Sequence, residues 1–370
     1  MTKAEITKFI AKSLSISVSS KNLGEIQQVL KSKEIDWDLY VKISTSQLVL
    51  PALYCNYKRN NLIQFLPDDL VAYMEEITSL NRDRNLQIIE QIHELNTLLR
   101  DNGVNPIFTK GASYLSQGLY EDPAERMVGD IDFLLSSEEY HKSIELLINN
   151  GYELLKNSEY LRPYHRHFSR LVKNDKIAAV EIHREMIIEK YASEFNYKVI
   201  KNNIIQNNGF SVLSYNDQKA LSIFSNQIND NGYDYKSMGL KNAYDFLLLN
   251  SKKPGTEFAL YFNKLKTPIH CFLASVDFLF EDLGLVFDNN KKVQKYLKEF
   301  KELIKNPKKR KFVIKITRLR IFLIYRTKII LRCFVNKEYR VWLFRRISDK
   351  RWQREKLVKL GLRKPIDSQP

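Results

Sequence analysis

Two aspartates one residue apart, in Arg126-Met127-Val128-Gly129-Asp130-Ile131-Asp132-Phe133-Leu134, are the residues of this chain best suited to chemistry. In a short apolar run that reads as a strand, side chains alternate faces, so Asp130 and Asp132 point the same way. A carboxylate pair of this kind can hold a divalent cation, and magnesium takes oxygen ligands from one or two carboxylates together with substrate phosphates. Upstream lies Lys110-Gly111-Ala112-Ser113. Gly111 permits close backbone approach, and Ala112 and Ser113 add little bulk where a helix begins, so its free N–H groups can face phosphate. Lys110 and Arg126 can add charge-assisted contacts or be ordinary surface charge.

Positioning these residues requires short strands and helices in the middle of the chain. Apolar spacing predicts helices from Lys3 to about Arg100, the clearest starting after Pro67 with Asp68 and Asp69 in its first turn and stopping at Asn102-Gly103. Val104–Phe108 reads as a strand, Ala112–Leu119 as a helix, Ile131–Leu135 as a strand and Ser137–Asn149 as a helix. Strands follow at Leu171 and Ala178–His183. From about Tyr215 the pattern is helical again, with helices expected over Asn216–Ile228 and Leu240–Leu249. The expected class is α+β: a small mixed sheet over residues 101–212, flanked by helical regions 1–100 and 213–305, with a tail from 306 to 370.

The 370 residues carry a net charge of +16, and its distribution matters more than its size. Residues 301–370 hold 23 Lys and Arg against 5 Asp and Glu, whereas the preceding part sums to −2. Contacts with anionic partners therefore belong to the tail. Cys55, Cys271 and Cys333 have no metal-ligand spacing, which argues against structural zinc. The start lacks a basic segment followed by an apolar run, and nothing is long and apolar enough to span a bilayer. A cytoplasmic location is expected, with peripheral contact at the membrane open through the tail.

The ordered set Lys110-Gly111, Arg126-x-x-Gly-Asp130-x-Asp132 and Val180-Glu181-Ile182-His183, with Leu240-Lys241-x-x-x-Asp245 behind it, resembles the uncharacterised nucleotidyltransferase family of the DNA polymerase beta-like nucleotidyltransferase superfamily. The resemblance implies a nucleotidyltransferase core in which Asp130, Asp132 and Glu181 bind two magnesium ions and are catalytic. It further implies that Lys110, Gly111, Ala112, Ser113 and Arg126 contact a nucleoside triphosphate. The implied reaction moves a nucleoside monophosphate to an acceptor hydroxyl or phosphate, with a small molecule or glycan precursor as the first choice of acceptor. Two departures stand out. Ser113 lies one place later than the superfamily's phosphate-binding serine, and Glu181 replaces the more frequent Asp, moving a carboxylate by roughly 1 Å.

Other residues admit plainer readings. His165, His167, Arg162, Arg166 and Arg170 form a basic and aromatic patch that reads as a solvated loop, with triphosphate contact as the alternative. His183 can orient Glu181 or be structural, and Lys241 with Asp245 can form an i, i+4 ion pair. In the tail, Phe312, Ile316, Leu319, Leu323, Ile330 and Phe334 cluster about 110° round the helix from Lys315, Arg318, Arg326 and Arg332. Three readings are open for it: an apolar side packed on the helical body, a membrane-surface anchor, whose pattern Trp342, Phe344 and Trp352 among Arg340, Arg345, Arg346, Arg351 and Arg354 fit, and an RNA contact, which the same composition suits. A non-catalytic scaffold acting through this tail, and a toxin-like transferase modifying protein or tRNA, are the alternative functions.

Overall fold

A computed structural model describes residues 1–32, 34–155, 162–281 and 283–359; the side chains of Arg351, Glu355, Lys356 and Lys359 and the last eleven tail residues lie outside the described set. Among the described residues, seven strands form one mixed sheet: β1 Ile107–Thr109, β2 Asp130–Leu134, β3 Glu153–Leu154, β4 Leu171–Val172, β5 Ala179–His183, β6 Ile205–Asn207 and β7 Phe210–Val212. Their order is β3-β4-β5-β2-β1-β7-β6. The two central strands run parallel with Asp132 opposite Glu181 and Leu134 opposite His183, while β1 is antiparallel to β2. Helices surround this sheet, and the class is the α+β expected from the sequence.

The apolar residues of β1, β2 and β5 that point away from the aspartates, Phe108, Ile131, Phe133, Val180 and Ile182, are fully buried. They pack with Ile88, Ile92, Leu95 and Leu99 from the second half of the helix Asp68–Asp101. The first half of that helix, through Leu70 and Met74, joins a different core, where helices Lys3–Ser15 and Leu50–Arg59 pack with Leu240–Lys252 and Lys266–Phe280. Helices from before and after the sheet thus share one interior. Asn22 reaches Phe280 O at 3.0 Å and Lys8 meets Glu281 at 3.0 Å across the same seam.

The long helix also fixes the loops that lead into the acidic strands. Asn81 and Asn85, one turn apart, donate to Ala124 O at 2.6 Å and to Arg126 O at 2.7 Å. Arg84 donates to Val128 O, and Gln91 exchanges two bonds with the backbone of Ala178 at 2.9 and 3.1 Å, just before β5. These side chains supply the partners that a buried loop backbone needs. The polar stripe Asn81, Arg84, Asn85 and Gln91 therefore sets where β2 and β5 begin.

The tail forms helices Pro307–Val335, Lys337–Ser348 and Lys350–Lys359. It does not bury its apolar stripe, so the packed-helix reading is corrected. The residues facing the body are Thr317 and Ile329, with Tyr339 of the next helix, and the docking contacts are polar: Arg320 to Asp234 and Arg332 to Glu189, both at 2.6 Å. Among the described residues, no helix is long and apolar enough to cross a membrane.

Replacing Asn85 by Ala strips hydrogen bonds from Pro123 O and Arg126 O inside the structure, and is expected to lower stability by about 2 kcal/mol. Urea unfolding checks this; an unchanged midpoint would show that the helix does not hold the loop.

Candidate active site

The parallel register of β2 and β5 brings Asp132 and Glu181 side by side on one face of the sheet, with Asp130 two residues before and His183 two residues after. Ligand atoms of Asp132, Glu181 and His183 lie within 4.8 Å of one another, and all three residues are buried. Nε2 of His183 is 2.7 Å from Asp132 Oδ1 and 3.4 Å from Glu181 Oε2. Three carboxylates this close repel one another unless cations offset them. Lys110 meets Asp132 Oδ1 at 2.6 Å, and Arg170 bridges Asp130 Oδ2 at 2.8 Å and Glu181 Oε1 at 2.7 Å.

Burial disfavours the charge on Asp132, but Lys110 and the His183 hydrogen bond outweigh it and hold the carboxyl below its usual range. Glu181 follows the same logic: burial is overcome by His183, His167 and Arg170, and the carboxyl is held far below the usual range. Asp130 moves the other way, because burial and its two acidic neighbours prevail over Arg170. His167, 4.0 Å from Glu181, is pushed down to about 4, chiefly by burial.

All of these groups except His183, which lies buried behind the carboxylates, line a cavity of about 720 Å³, inside the range that small-molecule sites occupy. Its other walls come from residues that are distant in sequence: His165, Arg166 and Ser169 from the loop before β4, Ser225 and Asn229 from a π-helical turn Ser225–Asn229, and Lys241 with Asp245 from helix Leu240–Lys252. The π turn ends the helix Tyr215–Phe224 where a continuous helix to Ile228 was expected. A π turn is rare and recurs at functional sites. Here Ser225 Oγ and Asn229 Oδ1 are buried without a protein partner.

The residues expected to contact nucleotide divide into two groups. Lys110 and Gly111 line the cavity, and Lys110 holds a left-handed φ of 52°, a conformation that a non-glycine residue adopts only when its surroundings enforce it. Ala112 and Ser113 do not line it: both are buried, and the Ser113 hydroxyl donates to Lys110 O at 2.9 Å within its own turn. Their small side chains let the turn pack. Gly111 has a similar reason, since a Cβ there would sit 2.9 Å from Val128.

Arg126 borders the cavity, but its guanidinium is committed elsewhere. It grips Asp245 through two bonds, Nε to Oδ1 at 2.7 Å and Nη2 to Oδ2 at 2.9 Å, and donates to Met127 O at 2.6 Å. Asp245 also accepts from the Tyr120 hydroxyl. This pair links the strand-entry loop to helix Leu240–Lys252, and it takes the partner that Lys241 would have had at i, i+4. Lys241 is left facing the cavity, and the field of Arg126 together with burial pushes its ammonium down to about 8.

His165, Arg166, His167 and Arg170, read in sequence as a solvated loop, instead form a wall of the cavity. The alternation of β5 carries a usable signal for His183, which shares the face of Glu181. The motif Leu240-Lys241-x-x-x-Asp245 is the signal for Lys241, whereas nothing in local sequence points to Ser225 or Asn229, because only tertiary packing brings them to the sheet.

Asp245→Asn would leave the buried Arg126 without its counter-charge, so unfolding should cost about 3 kcal/mol less. Lys241 gives a prediction of opposite sign. Unfolded lysine binds more protons than the folded side chain between pH 8 and its ordinary value, so wild-type stability should rise as pH increases through that window. Lys241→Met should abolish the rise and be more stable at neutral pH by roughly 2 kcal/mol. Parallel pH–stability curves for the two proteins would show that Lys241 is not destabilised by its setting.

No curated protein and no solved structure is significantly similar to the chain. A family model does match: it begins among the N-terminal helices, spans the sheet and ends in helix Lys266–Phe280, thus covering both walls of the cavity. Because residues 33–275, well over half of the chain, fit the model described as uncharacterised nucleotidyltransferase, the chain belongs to that family.

Proposed function

We propose that the protein transfers a nucleoside monophosphate from a nucleoside triphosphate to an acceptor hydroxyl or phosphate, with Asp130, Asp132 and Glu181 as the catalytic and metal-binding carboxylates. The observation that carries this reading is the in-register pairing of Asp132 with Glu181, with Asp130 on the same face, in a cavity that also presents cationic side chains. The donor set fits a hard divalent cation. Its carboxylate oxygens converge, and their present partners, Lys110 and Arg170, are cationic side chains whose charge a metal can replace. Bound magnesium would neutralise the charge that accumulates on the transferred phosphoryl and on the leaving pyrophosphate, and would lower the pKa of the attacking hydroxyl.

The chain's own groups have separate tasks. Lys110 and Lys241 enter the cavity from two elements and can hold phosphate oxygens between them. Arg170, about half exposed while it bridges Asp130 and Glu181, can turn to a phosphate once those carboxylates have another cation. His183 orients Asp132 and Glu181 from a fully buried position. Ser225 and Asn229 offer uncommitted polar atoms to the nucleobase or the acceptor. A cavity of about 720 Å³ supports a small-molecule acceptor, since polymeric nucleic acid needs a basic groove that tracks its backbone. The transfer proceeds in the cytoplasm on this reading.

The test supplies magnesium and each α-labelled nucleoside triphosphate, with cell extract as the acceptor source. Wild-type protein should transfer label, and Asp130→Ala/Asp132→Ala protein should lose at least about a thousandfold of that rate. Lys241→Met should raise KM for the nucleotide roughly tenfold while the protein stays folded. Label transfer by the double variant at the wild-type rate would refute the assignment.

A further inference from the structure

The stripe Phe312, Ile316, Leu319, Leu323, Ile330 and Phe334 is between 51% and 78% exposed, although helix Pro307–Val335 lies docked on the body. Docking uses another face of that helix. Arg320 and Arg332 pair with Asp234 and Glu189, Tyr325 stacks beneath Arg162 at 4.5 Å, and the Tyr339 hydroxyl donates to Pro163 O at 3.2 Å. The apolar face continues on helix Lys337–Ser348, where Val341, Phe344 and Ile347 are exposed. An apolar surface of this length is unusual on a monomer and marks an interaction site. From Phe312 to Phe334 it runs for about 33 Å at the rise of an α-helix.

We propose that this face lies on an anionic lipid bilayer, with the helices in the plane of the interface. Charge complementarity selects the occupant. Exposed Lys308, Lys311, Lys315 and Arg318 stand beside the stripe, and residues 301–370 carry a surplus of 18 positive charges. A basic helix with Phe, Leu and Ile on one side binds an anionic headgroup layer with its charges and the acyl boundary with its stripe. A second copy of the chain would bring two such surpluses together, which repulsion opposes. RNA would use the cations and aromatic rings but leaves Ile316, Leu319, Leu323 and Ile330 without a role. The loop that the tail braces, through Arg162 and Pro163, continues into His165 and Arg166 on the cavity wall, so the bilayer face and the cavity are joined through one segment. The inference stands apart from the transfer reaction.

Flotation of the full chain with vesicles tests it, using phosphatidylcholine alone or mixed with about one third phosphatidylserine. Wild-type protein should float with the mixed vesicles and at least tenfold less with phosphatidylcholine alone. Phe312→Ser/Leu319→Ser/Leu323→Ser and Lys308→Gln/Lys311→Gln/Lys315→Gln should each lose about tenfold of the bound fraction, with circular dichroism unchanged because the altered side chains are exposed. Equal flotation with both vesicle types, or a serine variant that floats like the wild type, would overturn the proposal. So would failure to float combined with a gel shift of poly-U RNA that the glutamine variant loses and the serine variant keeps.

Discussion

Everything at the centre of this molecule follows from keeping three carboxylates on two neighbouring strands. Asp132 and Glu181 are opposite each other because β2 and β5 are parallel and in that register; a shift of one residue would turn one of them to the opposite, apolar face of the sheet. Such a cluster is unfavourable by itself. Lys110, Arg170 and His183 offset it, and each arrives from a different place: the turn after β1, the end of the loop before β4, and the last residue of β5. The site is therefore assembled by the sheet as a whole rather than by a local motif.

The helices carry out the positioning. Half of helix Asp68–Asp101 supplies the apolar layer under the sheet, and its polar stripe fastens the loops entering β2 and β5. The Arg126–Asp245 pair then joins the β2 entry loop to helix Leu240–Lys252, which carries Lys241 into the cavity. A buried ion pair contributes less net stability than its geometry suggests, because both charges are desolvated. Its value here is registration: it sets the distance between the acidic sheet and the opposite wall, and leaves Lys241 facing the cavity, where Asp245 and Asp230 offset only part of the effect of Arg126 and burial and a ligand anion would be favoured.

How far these features can be read in the sequence depends on the range of the interaction that produces them. Helix Ser137–Asn149, bounded by a Ser cap and Asn150-Gly151, was legible to the residue because its signals are local. The Asp130–Asp132 strand and the Ala178–His183 strand were legible through alternation. The short strands β3, β6 and β7 were not, since two or three residues carry no period and form only where a neighbouring strand offers its edge. Ser113 and Arg126 have the residue types of phosphate contacts, yet packing turned one into its own helix and paired the other with Asp245. The tail shows the same limit in reverse. Its amphipathic pattern was plain, but which side faces the body was decided by polar contacts at Arg320, Arg332 and Tyr339.

The central claim is that the carboxylates of β2 and β5 form a divalent-metal site that works with a bound triphosphate. The direct measurement is electron paramagnetic resonance of manganese added to the full chain, with and without a non-hydrolysable nucleoside triphosphate analogue. The account predicts bound manganese that the analogue tightens, and binding at least about tenfold weaker in folded Asp132→Asn protein. Manganese binding that neither the analogue nor Asp132→Asn alters would contradict it.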